Sequence, residues 1–108
     1  MATIFKYARR KAREVSFGGV SIGANHPIAV QSMTNTPTAD VEASVAQTER
    51  IAAAGAEIVR LTAQGKKEGE ALGPIMERLK AGGNKAAIVA DIHFTPEIAM
   101  MAAEVVDK

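Results

Sequence analysis

Asp91 and His93 close a short apolar run in the stretch Ala-Ala-Ile-Val-Ala-Asp-Ile-His-Phe-Thr-Pro at 86–96. Side chains two apart on an extended backbone point the same way. If the strand continues through Ile92, a carboxylate and an imidazole therefore face one side together. Polar groups delivered at the carboxyl end of a buried strand are typical of an α/β active face. The structural alternative is that His93 bonds backbone and Asp91 caps the following turn. A metal site is the weaker reading, because two ligands are insufficient and no third lies nearby in sequence. A second chemical position is Arg60, set within the apolar residues Ile58, Val59 and Leu61. An arginine there is costly to bury alone. It either reaches an anion at the strand end, or it snorkels to solvent or pairs with a carboxylate. A third group, Gln31, Ser32, Met33, Thr34 and Asn35, crowds directly after another apolar run.

These residues need elements to carry them. Pro27–Gln31, Ala56–Leu61 and Ala86–Asp91 read as three buried strands, each followed by a helical pattern. The first helix has Asp40 as N-cap, with Thr38 the alternative. Val41, Val45, Thr48, Ile51 and Ala52 form its apolar face, and Gly55 is its left-handed stop. The second spans Glu68 to Leu79, with a kink or fresh start expected at Pro74 and an end at Gly82-Gly83. The third starts at Thr95 or Pro96 and runs through Ile98, Met101, Ala102 and Val105. Ahead of them, Val15 and Phe17 alternate with polar neighbours, Gly18-Gly19 supplies a turn and Val20 and Ile22 begin a return strand. That hairpin is expected to plug one end of the repeating part.

The fold class read from this order is α/β: an amino-terminal β-hairpin plus three βα units with parallel strands and right-handed crossovers. The boundaries are a basic terminus at 1–13, hairpin and joint at 14–25, and the βα units at 26–108. Three units are too few to close a barrel, so the chain reads as the opening portion of something larger.

Composition removes several function classes. The chain has 108 residues, a formal charge of +1 and no cysteine, which excludes disulfides, thiolate metal sites and cysteine nucleophiles within it. No apolar run approaches the roughly 20 residues that cross a bilayer, and the basic start lacks the apolar centre of a secretory signal. Lys6, Arg9, Arg10, Lys11 and Arg13, interleaved with Phe5 and Tyr7, form a short cluster that reads as a solvated terminus. Neither nucleic acid nor a membrane is expected as a partner, and the cytoplasm is the expected location. The methionines read as core filler.

Three segments in order, Pro-Ile-Ala-Val-Gln-Ser-Met-Thr-Asn-Thr at 27–36, Gly-Ala-Glu-Ile-Val-Arg at 55–60 and Val-Ala-Asp-Ile-His-Phe at 89–94, resemble the amino-terminal part of the 4-hydroxy-3-methylbut-2-enyl diphosphate synthase (GcpE) family. The resemblance runs from about Arg13 to the end. It implies that residues 1–108 are an incomplete portion of a (β/α)8 TIM barrel, with a carboxyl-terminal [4Fe-4S] domain absent from these residues. It further implies a two-electron reduction of 2-C-methyl-D-erythritol 2,4-cyclodiphosphate in non-mevalonate isoprenoid biosynthesis. Reduced flavodoxin or ferredoxin would be the donor, and a homodimer the functional unit. On this resemblance Arg60 grips the substrate diphosphate, and Asp91 and His93 are the catalytic pair that bonds hydroxyls and handles protons. Gln31, Ser32, Met33, Thr34 and Asn35 line the substrate cavity, and His26 receives no role. The family cluster needs three cysteines and a glutamate from the later domain, so this chain alone is expected to bind no cluster and to be inactive. Two other functions compete: a non-redox α/β module that binds a phosphorylated ligand, and a structural piece that self-associates through open sheet edges.

Overall fold

A computed structural model describes Ala8 and residues 10–108. Lys6 and Arg9 of the basic cluster, with Phe5 and Tyr7, lie outside the described residues, while Arg10, Lys11 and Arg13 are exposed. The hairpin forms as expected from β1 (Val15–Phe17) and β2 (Val20–Ile22), paired antiparallel with Phe17 opposite Val20. Gly18 and Gly19 have φ of +54° and +80°, the left-handed pair that a two-residue turn requires. Gly18 is also a close-approach position: a Cβ there would meet the Asp107 carboxyl and the Ala87 side chain. The hairpin turn thus seats at the start of β5 (Ala87–Ile92).

The second sheet is parallel, in the order β3 (Gln31–Met33), β4 (Ile58–Ala63), β5. Its helices are α1 (Val41–Ala53), α2 (Lys66–Ala81) and α3 (Pro96–Ala103), with α1 against α2 and α2 against α3. They cover the sheet face that carries Val59, Leu61, Ala63, Ile88, Ala90 and Ile92. Leu61, Leu72, Ile75, Leu79 and Ile88 are fully buried there, each contributing about 1.5–3 kcal/mol relative to exposure. The outcome is an open α/β segment with a small antiparallel ribbon, and the sheet does not close on itself.

The first strand differs most from the reading of its sequence. The apolar run 27–30 precedes the ladder, and Ile28 and Val30 are 81% and 55% exposed. Pairing begins only where Glu57 and Ile58 donate to the Val30 carbonyl, at 2.9 and 3.1 Å. Pro27 has no N–H to contribute, and β3 is an edge strand, exposed throughout rather than buried. The second and third strands likewise end later than their apolar runs, at Ala63 and Ile92.

The expected break at Pro74 is also absent, because α2 is one continuous helix. Leu72, Ile75, Met76 and Leu79 hold it along a single buried stripe. Pro74 lies on the exposed side, where a carbonyl left without its donor is open to solvent rather than buried. The third helix stops at Ala103, not Val105, and Val105 and Val106 instead donate to the Ala102 carbonyl in a tightened turn. That turn returns the chain to β5. Lys108 donates to the Ile88 carbonyl at 3.2 Å and accepts from the Ala90 N–H at 2.8 Å, the bond pair of a parallel neighbour. The Asp107 carboxylate accepts from the Ile88 N–H at 2.8 Å. Among the described residues no helix is long and apolar enough to cross a membrane.

Candidate active rim

Register decides which candidates share a face. Met33 pairs with Arg60, Arg60 with Val89, and Thr62 with Asp91. Gln31, Met33, Arg60, Thr62 and Asp91 therefore project from the sheet face turned away from the helices. Ser32 alternates to the helix side. Thr34 is buried, its N–H donating to the Arg60 carbonyl at 3.0 Å. Asn35 is engaged by α1: Gln47 donates to its side-chain oxygen at 2.6 Å and accepts from its backbone N–H at 2.8 Å.

Arg60 and Asp91 meet across the β4–β5 ladder. Arg60 Nη2 donates to Asp91 Oδ2 at 2.6 Å, a charge-assisted contact. Of the readings open for Arg60, the carboxylate pair is the one formed. Its side chain is still 38% exposed, and a guanidinium has five donors. The one guanidinium hydrogen bond among the described residues is the bond to Asp91, which leaves donors for an anion. The Arg60 bond, seconded by the nearby imidazole, holds the Asp91 carboxyl below the usual carboxylate range against the opposing effect of partial burial.

His93 Nε2 lies 3.2 Å from the same Asp91 oxygen. It is nevertheless a buried nitrogen without an aligned hydrogen-bond partner, because proximity alone does not fix the angle. The backbone of His93 extends the ladder by donating to the Ala63 carbonyl at 3.3 Å, so the pair does reach one face as the two-residue spacing requires. Asp91 is spent on Arg60 rather than on capping the next turn. His26 sits elsewhere, 3.3 Å from Glu14.

Two residues of this region had no chemical signal in the sequence. Thr62 follows Arg60 by two and is recognisable only once β4 is known to extend to Ala63. Gln47 sits on α1, and its role in tying down residues 35 and 36 depends on a contact remote in sequence. A cleft of about 830 Å3 lies at the opposite end between the hairpin and residues such as Glu49 and Lys85. It gathers no comparable pair of interacting charges.

A [4Fe-4S] cluster does not fit these residues. The sequence has no cysteine, and no three potential metal ligands cluster among the described residues.

Parallel βα units with helices on one face and polar side chains at the strand ends define a segment of a β/α barrel with a candidate rim site. Residues 12–108 match the GcpE TIM-barrel domain, and the chain belongs to that family. It is 50% identical over 97% of its length to the 4-hydroxy-3-methylbut-2-en-1-yl diphosphate synthase (flavodoxin) of Bacteroides fragilis. It is 49% identical to the enzyme of the same name from Leptospira interrogans. It is 44% identical over 98% of its length to the chloroplastic, ferredoxin enzyme of Arabidopsis thaliana. The chain spans 17%, 16% and 14% of these curated relatives, respectively.

Proposed function

We propose that these residues form one partial barrel domain that binds the diphosphate of 2-C-methyl-D-erythritol 2,4-cyclodiphosphate. They would do so for a cytoplasmic, homodimeric reductase of isoprenoid biosynthesis that takes electrons from flavodoxin or ferredoxin. The observation that carries the reading is the half-open Arg60 guanidinium, fixed by Asp91 and facing the same side as Gln31 and Met33. Similarity to synthases named for flavodoxin and ferredoxin supports the reaction class.

In this reading Arg60 uses its free donors on phosphate oxygens, and Asp91 aims the fork. His93 Nε2, unpartnered among the described residues, bonds a substrate hydroxyl or passes a proton to a departing oxygen. Gln31 and Met33 border the ligand, while Thr34 and Asn35 set the loop that frames it and Ser32 stays at the sheet edge. The redox centre belongs to residues outside this stretch, so this polypeptide alone gives no reductase turnover.

The test is calorimetric binding of inorganic pyrophosphate to the full-length protein that carries this chain. Arg60→Ala is expected to weaken binding roughly tenfold, the equivalent of about 1.4 kcal/mol. Equal affinity in the variant refutes the diphosphate role. The competing phosphate-binding module is favoured for these residues alone if the isolated chain binds pyrophosphate through Arg60 and the full-length protein does not reduce the cyclic diphosphate.

A further inference from the structure

Phe94 stands at the top of β5 in a conformation its side chain does not favour. Its φ is +67°, where an L-residue crowds its Cβ against the following carbonyl. Thr95 N–H donates to the His93 carbonyl at 2.8 Å, closing a three-residue γ-turn with Phe94 at the apex. With positive φ at the centre this is the rare, strained form. The ring is 93% exposed, so among the described residues no burial offsets the strain.

The tight turn has a clear origin. His93 is still bonded to the β4 ladder, and Pro96 already opens α3. Thr95, before the proline, is extended at φ −113° and ψ 105°, as its neighbour requires. The reversal therefore falls on residue 94. Glycine would make it without strain, and a polar residue would suit the exposure. The choice of phenylalanine is left to be explained by what its ring meets.

That ring stands beside the rim cluster, its centroid 5.8 Å from that of His93 and its plane tilted 58°. An anion on Arg60 has its charge met by the guanidinium, and its carbon skeleton then needs an apolar wall. We propose that Phe94 is a specificity-determining residue whose ring covers the carbon skeleton of the phosphorylated ligand held by Arg60. The proposal rests on the diphosphate reading above. It explains why an aromatic ring is kept in a strained turn that is exposed among the described residues: the ligand's carbon skeleton covers it.

The experiment compares two ligands in the full-length protein that carries this chain, as wild type, Phe94→Gly and Phe94→Leu. Calorimetry measures the cyclic diphosphate, which has a carbon skeleton, and inorganic pyrophosphate, which has none. Phe94→Gly is expected to weaken the cyclic diphosphate about tenfold while pyrophosphate affinity is unchanged. Its melting temperature should equal or exceed wild type because glycine relieves the turn, and Phe94→Leu should recover most of the affinity. Unchanged cyclic diphosphate binding in Phe94→Gly overturns the proposal, as does a parallel loss of both ligands. Arg60→Ala separates the two ideas. If that variant loses pyrophosphate and Phe94→Gly keeps the cyclic ligand, only the Phe94 role falls. If it keeps pyrophosphate, the diphosphate reading falls first.

Discussion

Asp91 accepts a bond from Arg60 and has His93 within reach of the same oxygen, and its acidity follows from that crowding. Its carboxyl is more acidic folded than unfolded. The pairing therefore contributes stability above the unfolded value of about 3.9 and loses it as pH falls through the lower folded value. With more than a third of Arg60 open to water, the pair is worth about 1 kcal/mol. Carbon-detected NMR titration should place the Asp91 midpoint below the ordinary carboxylate range and show it rising in Arg60→Ala. A midpoint indifferent to that substitution contradicts the assigned cause. The sequence made much of this legible, since the two-residue spacing of Asp91 and His93 put both on one face. It left the Arg60 partner open because a strand-to-strand diagonal depends on register, which no single segment encodes. Phe94 was illegible for a different reason: its importance lies in a backbone angle, and its residue type gives no sign of it.

Among the elements, α1 does more than cover the sheet. Asp40 caps it by accepting from Ala43 at 3.1 Å, as the sequence indicated, and Gly55 ends it with φ +115°. From its middle, Gln47 accepts from the Asn35 and Thr36 N–H groups, and Ser44 bonds the Thr36 hydroxyl at 3.0 Å. The loop after β3 is thus held by the helix that follows it. Gln47→Ala should speed amide exchange at Asn35 and Thr36 and cost about 1 kcal/mol, while α2 amides stay protected. Exchange at the two loop amides unchanged from wild type would separate the loop from α1. In α2, Pro74→Ala should stabilise the chain by about 1–3 kcal/mol, because it restores a helical donor at an exposed position. A lower melting midpoint would show that the proline ring contributes packing. The continuity of α2 was hidden because proline is a strong local signal, whereas the buried stripe overriding it belongs to the tertiary structure.

At the scale of the molecule, the sheet face away from the helices is covered only at its lower end, where Ile58 and Ala87 are buried, and among the described residues the β3 edge is bare. Gln31, Ser32 and Met33 are all exposed, and Ile28 and Val30 add apolar surface beside them. Unpaired strand edges of this kind recruit other strands. The isolated chain should therefore associate with rising concentration in sedimentation velocity, and a sharp monomer boundary across that range would count against it. The alternation of strand and helix made this architecture readable. The exposure of the first strand was not, since an apolar run reads the same whether or not its neighbours are present.

The hairpin meets the stretch that follows α3, with Gly18 against Asp107 and the Lys108 ammonium 5.2 Å from the centre of the Phe17 ring. A ribosome therefore makes this ribbon early but its seat some ninety residues later, and closing so long a loop carries an entropic cost. During synthesis β1 and β2 emerge without their support, and docking waits until the turn after α3 leaves the exit tunnel. Crosslinking on stalled nascent chains should capture residue 17 beside residue 108 only after that turn has emerged.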